Sequence, residues 1–307
     1  MKVYYGVQEF KPLPYAVVTS GTFDGVHLGH QKILSRLHEV TAQTGGMSVL
    51  ITFHPHPRMV IQGAKDLQLL STIDEKIELL ERFGVQHLVI IPFNREFSEL
   101  SSEEFINQIL LEKIGTKKLV IGYDHRFGRN REGGFDYLSQ NAHRYGFEIE
   151  EIPRQDLEHV TISSSKIRKS LLEGDVHHAT DLLGRPYSLT GTVVKGRQLG
   201  RTIGYPTANI QVPEEYKLIP ANGVYAVQIS YGNQEYGGML NIGTRPTVDG
   251  TFRTIEVNIF DFEKEIYGEK LTVSFIQKIR NEEKFQGIEV LKAQLALDKI
   301  QASLLLQ

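Results

Sequence analysis

The chain has 307 residues, 40% of them hydrophobic and 23% charged, with a net charge of −3. That length allows two domains with separate cores, and the absence of cysteine excludes disulfides, thiolate nucleophiles and zinc–thiolate centres. No stretch approaches the ~18 apolar residues of a membrane span, Met1–Pro14 holds no signal-peptide-like run, and no long basic block marks a nucleic-acid binder, so small-molecule chemistry in the cytoplasm is the expectation.

The first half alternates short apolar runs with longer amphipathic ones. Strands are expected near Ala16–Ser20, Met47–Phe53, His87–Ile91, Lys118–Ile121 and Glu148–Ile152. Helices are expected near His30–Thr44, Ile73–Phe83, Glu103–Lys113 and Phe135–Tyr145. Thr72 with Glu75 and Ser101 with Glu104 have capping-box spacing, and Gly84 and Gly115 stand where C-caps belong. This alternation predicts an α/β fold, a Rossmann-like doubly wound parallel sheet with helices on both faces. Ligands on such sheets bind beyond the carboxyl ends of the strands.

After about Leu183 the pattern changes. Strand-like runs follow at Tyr187–Lys195, Val224–Tyr231, Tyr236–Ile242, Thr254–Phe260 and Lys270–Ile276, with no helix between them. They predict an antiparallel barrel or sandwich. A last helix carries Ile288, Leu291 and Leu295 on one face. The breaker Gly184-Arg185-Pro186 sets a boundary between domains 1–184 and 185–307.

Gly21-Thr-Phe-Asp-Gly-Val-His-Leu-Gly-His30 follows the first strand and opens the first helix. His27 and His30 share a face of the first helical turn. The first amides of a helix lack the intrahelical partners of its later turns, and the dipole there is positive. Gly29 removes a side chain where a phosphate would meet a Cβ. Two imidazoles, backbone amides and a helix terminus suit an α-phosphate under attack. A capped helix with two surface histidines is the plain alternative, and a metal set with His54 and His56 is another. Further on, Ser163, Ser164 and Ser165 start a short helix with Lys166 and Arg168 close behind. Such a start is an ordinary N-cap, but two cations beside it suit a polyphosphate.

In the second half, Gly196, Gly200 and Gly204 are spaced by four among Lys195, Arg197 and Arg201. They describe a flexible cationic loop able to wrap phosphates, or simply a long hairpin loop. Thr207 and Asn209 follow in an extended segment, where alternate residues point the same way. A hydroxyl and an amide carbonyl are hard oxygen donors suited to Mg²⁺ shared with a nucleotide. Ile255, Val257 and Ile259 make the apolar face of a later strand, so Glu256 faces either solvent or a pocket.

Gly-x-Phe-Asp-Gly-Val-His-x-Gly-His resembles the signature of the His-x-Gly-His nucleotidyltransferase superfamily. Together with Thr52-Phe-His-Pro-His-Pro-Arg58, Gly122-Tyr-Asp-His-Arg-Phe-Gly128 and Ile162-Ser-Ser-Ser-Lys-Ile-Arg168, it is similar to the adenylyltransferase half of bacterial bifunctional riboflavin kinase/FAD synthetases. Gly204-Tyr-Pro-Thr-Ala-Asn209, the Glu256 strand, Gly223-Val-Tyr-Ala226, Asn241-Ile-Gly-Thr-Arg-Pro-Thr247 and Arg280-x-Glu-x-x-Phe285 resemble the riboflavin kinase half. The likeness runs from about Tyr15 to Ala302. It departs at Thr22, Ser165, Lys195, Asn258 and Asn281, and none of these departures removes a group to which chemistry is assigned.

The resemblance implies that ATP and Mg²⁺ are used to phosphorylate riboflavin to FMN, and that a second ATP adenylylates FMN to FAD. It implies nucleotide contacts from Gly21, Phe23, Asp24, His27, Gly29, His30 and Asp124, with the departing pyrophosphate on Ser163, Ser164, Ser165 and Arg168. In the kinase half, Gly196, Arg197, Gly200, Arg201 and Gly204 would hold the nucleotide. Flavin contacts are implied for His54, Pro55, Arg58 and Phe127, and for Arg280 and Phe285. Thr207 and Asn209 would hold the metal, Glu256 would act as the base, and His27 and His30 would be catalytic in adenylyl transfer. The rivals are a chain with one live activity, adenylyl transfer, and a flavin-binding regulatory protein.

Overall fold

The computed structural model describes residues 1–64, 66–152, 162–196, 198–247 and 250–307, with only the backbone described at 245–247 and 250–252. It divides into two compact units, Met1–Ser164 and Ser165–Gln307.

The first unit holds a six-stranded, all-parallel sheet: β1 (Lys2–Tyr5), β2 (Ala16–Ser20), β3 (Met47–His54), β4 (His87–Pro92), β5 (Thr116–Gly122) and β6 (Glu148–Ile152). Their order across the sheet is β1-β4-β3-β2-β5-β6. The helices are α1 (Leu28–Thr44), α2 (Pro57–Ile61), α3 (Ile73–Arg82), α4 (Arg95–Ser98), α5 (Ser102–Glu104) and α6 (Phe135–Tyr145).

The side-chain alternation makes the sheet double-sided. Val18, Val49, Ile51, Val89 and Leu119 enter one core, with Phe105, Ile109 and Leu138 packed over them. Val17, Leu50, Leu88 and Val120 enter the other, under Leu34, Leu37 and Leu80 of α1 and α3. Each strand therefore feeds both cores, as its period of two requires. The winding direction reverses at β2, because β3 and β4 lie on one side of it and β5 and β6 on the other. The ligand crevice of such a sheet opens at that reversal, beyond the ends of β2 and β5.

Both expected capping boxes form, Thr72 with Glu75 and Ser101 with Glu104. The helix expected over Glu103–Lys113 differs in kind: α5 gives way to π-helical backbone over Phe105–Ile114. The edge strand β1 adds to the expected set, its four residues being too few to show a period.

The second unit is a closed antiparallel barrel with strand order β10-β11-β8-β7-β12-β9. Its strands are β7 (Tyr187–Val194), β8 (Ala208–Gln211), β9 (Gly223–Tyr231), β10 (Gln234–Thr247), β11 (Gly250–Ile259) and β12 (Lys270–Arg280). Helices α7 (Ser164–Glu173) and α8 (Val176–Leu183) precede it, with α8 ending at Gly184 in the left-handed region, φ 70°. A four-residue turn of helix, α9 (Leu199–Thr202), lies in the glycine loop, and α10 (Ile288–Leu305) closes the chain.

One expectation about α10 is corrected. Ile288 is 61% exposed, and the inward seam runs instead through Leu291, Leu295, Asp298, Ala302 and Leu305. The seam includes a carboxylate, which hydropathy alone assigns to the outside. Asp298 is 1% exposed because Arg280 of β12 meets it with two nitrogens, Nε at 2.9 Å and Nη2 at 2.8 Å.

Candidate functional site

In the first unit, Ser20 ends β2 and the chain turns into α1 through a loop of unusual backbone. Phe23 (φ 46°), Gly25 (φ 78°) and Val26 (φ 39°) all lie in the left-handed region. Glycine is required at 25 twice over, since an added Cβ would also come within 2.8 Å of Leu70. Asp24, 1% exposed, accepts from the amides of Leu70 (2.9 Å) and Ser71 (3.2 Å) through Oδ1. The Gly25 amide donates to Ser71 Oγ at 3.2 Å, and Ser164 Oγ donates to the Asp24 carbonyl at 3.1 Å.

His27 is the N-cap of α1, its Nδ1 accepting from the His30 amide at 3.3 Å. A neutral ring so placed carries its proton on Nε2. The His27 and His30 rings stack, with centroids 3.6 Å apart and planes 12° from parallel. Phe23 backs His30 at 4.7 Å. A Cβ at Gly29 would lie 3.3 Å from the His27 ring, so this glycine also lets the imidazole fold over the helix start.

Across the crevice, β5 delivers Gly122–Gly128. Asp124 is exposed. His125 Nε2 meets Ser20 Oγ at 2.8 Å, joining the ends of β2 and β5. Burial pushes the His125 imidazole down to about 4, and its Nδ1 has no partner among the described residues. Phe127 is a core residue, 8% exposed, with its ring 5.3 Å from Phe105. At the end of β3, His54 is held below the usual histidine range, first by burial and then by the charge of Lys76. His56 caps α2 through Nδ1, accepting from the Arg58 amide at 3.2 Å, and Arg58 Nε donates to Gln62 at 3.3 Å. Among the described residues no group of three or more His, Asp or Glu could hold a metal ion.

Two residues beside this crevice, Lys76 and Ser20, lie outside every motif, and a third, His125, lies inside the Gly122–Gly128 motif without that motif showing its partner. Lys76, Ser20 and His125 act through contacts between elements distant in sequence. Half-buried Phe53, near the end of β3, also clusters with Phe93 and Phe97 past the end of β4, with centroids 5.6–5.9 Å apart. Part of their signal is local: Phe53 closes the expected run Met47–Phe53, and Phe93 stands two residues past His87–Ile91.

In the second unit, β8 and β11 are in register, with Asn209 opposite Glu256 and Ala208 opposite Val257. Asn241 of β10 lies opposite Glu256 on its other side. Directly paired residues share a face with Cβ atoms about 4.5–5.5 Å apart. Ile255 (5% exposed), Val257 (0%) and Ile259 (8%) take the apolar face, as expected. On the opposite face Asn258 is also buried, because its Nδ2 donates to the Pro206 carbonyl at 2.7 Å. Glu256 therefore sits on a face that the segment before Thr207 covers, and it is half-buried.

The glycine loop closes on the same place. A Cβ at Gly196 would lie 2.7 Å from Asn209 Oδ1 and overlap its amide, and one at Gly200 would lie 3.5 Å from Thr207 Oγ1. Gly204 has φ 86°. Arg201 is exposed, and Arg197 lies outside the described residues. Tyr267 anchors the loop, accepting from Gln198 Nε2 at 3.1 Å with the Lys195 ammonium 5.7 Å above its ring. Beside the loop, a groove of about 410 Å³ runs between Tyr205 and α10, floored by Ala296, Ile300 and Leu304. Arg280 is committed to Asp298, and its guanidinium carbon stands 5.4 Å over the Phe285 ring.

The start of α7 brings Ser163, Ser164 and Ser165 together at a helix N-terminus, with Lys166 and Arg168 in its first turns.

Comparison with known proteins follows the same division. Residues 10–166 match the FAD synthetase family model and residues 183–306 the riboflavin kinase model. Proteins named bifunctional riboflavin kinase/FMN adenylyltransferase match nearly end to end. The one from Buchnera aphidicola of Schizaphis graminum is 39% identical, covering 97% of this chain and 96% of its own. That of Escherichia coli K12 is 37% identical over 98% and 97%. The chain belongs to the bifunctional riboflavin kinase/FMN adenylyltransferase family. Its fold is shared with a crystal structure of a macrolide-efflux protein from Streptococcus pneumoniae, at a TM-score of 0.88 and 31% identity over 98% of both chains. Among the described residues no helix is long and apolar enough to cross a membrane.

Proposed function

We propose that residues 185–307 phosphorylate riboflavin to FMN and residues 1–184 adenylylate FMN to FAD, in the cytoplasm. The observation that carries the reading is the Glu256–Asn209 pair, with Thr207 upstream of Asn209 and the glycine loop against both ligand candidates. For the adenylyl step the reading is supported by the stacked rings of His27 and His30 at the start of α1.

In the kinase step Glu256 accepts the proton of the terminal ribityl hydroxyl, whose oxygen forms a bond to the γ-phosphorus as the bond to ADP breaks. Thr207 Oγ1 and the Asn209 amide oxygen are hard donors that fit Mg²⁺, and Gly196 packs against that amide. When bound, the ion neutralises phosphate charge. Gly200, Gly204 and Arg201 present the loop to the nucleotide, and the groove beside Tyr205 offers the flavin an apolar wall.

In the adenylyl step an FMN phosphate oxygen attacks the α-phosphorus of ATP and the bond to pyrophosphate breaks. His27 Nε2–H, His30 and the first amides of α1 stabilise the charge that develops. Asp24 contributes by shaping the loop, and Ser163, Ser164, Ser165 and Arg168 are assigned to the pyrophosphate. The Phe53, Phe93 and Phe97 cluster joins His54, Pro55 and Arg58 as the surface offered to FMN. Incubation with riboflavin, ATP and Mg²⁺, followed by chromatography, tests the whole reading: FMN should appear first and FAD after it. Riboflavin left unconverted would sink it.

A further inference from the structure

Lys76 belongs to none of the motifs, yet its side chain reaches the centre of the loop between β2 and α1. It is the fourth residue of α3 and is 5% exposed. The Thr72–Glu75 capping box fixes the first turn of α3 and so the direction in which Lys76 leaves it. Its Nζ donates to the carbonyl of Thr22 at 2.7 Å. Thr52 of β3 donates to the same carbonyl at 3.2 Å. That carbonyl is the last peptide oxygen before Phe23, where the backbone enters the left-handed region at φ 46°. Non-glycine residues hold such a conformation only where their surroundings over-determine it.

The loop is fastened on both sides of this point. Asp24 grips the Leu70 and Ser71 amides, just ahead of α3, and Ser71 Oγ takes the Gly25 amide. Lys76 supplies the counter-charge for Asp24 from within the same small volume. We infer that Lys76 is a positioning residue for adenylyl transfer, its ammonium holding the Thr22 carbonyl and balancing Asp24 so that the loop presents His27, His30 and the α1 amides to the α-phosphate. The inference rests on the adenylyltransferase reading of this unit.

Only one of the three ammonium N–H donors has an acceptor among the described residues. Burial pushes Lys76 down to about 8, against the opposing pull of Asp24. Among the described residues the titratable groups facing it are Asp24 from the loop and His54 from β3. As pH rises through about 8 the amine becomes neutral and the balance with Asp24 is lost.

The test uses the full-length protein and measures FMN-to-FAD turnover from pH 6.5 to 9.5 in the parent, Lys76→Arg and Lys76→Met, with riboflavin phosphorylation as the internal control. The parent's FAD-forming kcat should fall above pH ~8, approaching about tenfold per pH unit if only the charged form works. Lys76→Arg, charged throughout this range, should keep most activity and lose the alkaline fall. Lys76→Met should be reduced about tenfold or more, with no alkaline fall of its own, and FMN formation should be unchanged in all three. Thermal unfolding separates an ill-packed arginine from an inert one, and the methionine variant cannot titrate in either case. A Lys76→Met protein within threefold of the parent, or one repeating the parent's alkaline fall, would overturn the inference. A parent that forms FMN but no FAD at any pH would overturn the adenylyltransferase reading, and the inference with it.

Discussion

Glu256 of β11 and Asn209 of β8 are direct cross-strand neighbours, and the Gly196 backbone closes against the Asn209 amide. A carboxylate, an amide and a loop glycine thus meet although 13 and 47 residues separate them. The pairing gives Glu256 a polar neighbour, Asn209, on a half-buried face of the barrel strand.

Replacing Glu256 by Gln keeps the shape of this face and removes the proton acceptor. The kcat for FMN formation should fall by about 10²–10⁴-fold, toward the lower end because a loose phosphoryl-transfer transition state needs little prior deprotonation. Conversion of supplied FMN to FAD should be unaffected. Riboflavin phosphorylation within a few-fold of the parent would remove Glu256 from the mechanism.

Gly196 offers a second check. A Cβ there overlaps the Asn209 side chain, so Gly196→Ala should displace the amide and raise the Mg²⁺ concentration needed for half-maximal kinase activity. Thr207→Ala and Asn209→Ala should shift the same titration in the same direction. Superimposable Mg²⁺ titrations for parent and variants would place the metal elsewhere.

How much of this was legible in the sequence depends on the range of the interaction. The β–α alternation, both capping boxes and the Gly21–His30 segment are local, and each appears where its residues predict. The contacts of Lys76 and His125 are not legible, although His125 stands in a motif, because their partners, Thr22 and Ser20, lie 54 and 105 positions away. The seam of α10 was misread for a related reason. A carboxylate is assigned to solvent unless its partner is known, and the partner of Asp298 is on β12.

The Asp298 pairing has a stability consequence. Asp298 is 1% exposed and the Arg280 side chain 16%, so Asp298→Ala strands a guanidinium against the barrel and loosens α10. Breaking a buried pair costs about 3–5 kcal/mol, and partial exposure of Arg280 puts this case near the lower end. Thermal unfolding, followed through loss of kinase activity, should shift down by several degrees. An unchanged midpoint would show that α10 is held by its apolar seam alone.

His125 should make the first unit acid-sensitive. Its pKa is about 4 in the folded chain, below the ordinary value of about 6.5, so between those limits the unfolded state binds the extra proton. Its contribution is complete above pH ~6.5 and is lost as pH falls toward 4. The melting temperature of the parent should therefore drop more steeply over this window than that of His125→Phe. Parallel curves would place a titrating group other than His125 in control.

The central claim is that one chain carries two chemically separate sites acting in sequence. Complementation tests it most directly. His30→Ala should convert riboflavin to FMN and stop, while Glu256→Gln should leave riboflavin largely untouched yet turn supplied FMN into FAD. Mixed together with riboflavin, ATP and Mg²⁺, the two variants should produce FAD, the first releasing FMN that the second consumes. A mixture that forms no FAD, from variants each folded and each retaining its single step, would contradict the account.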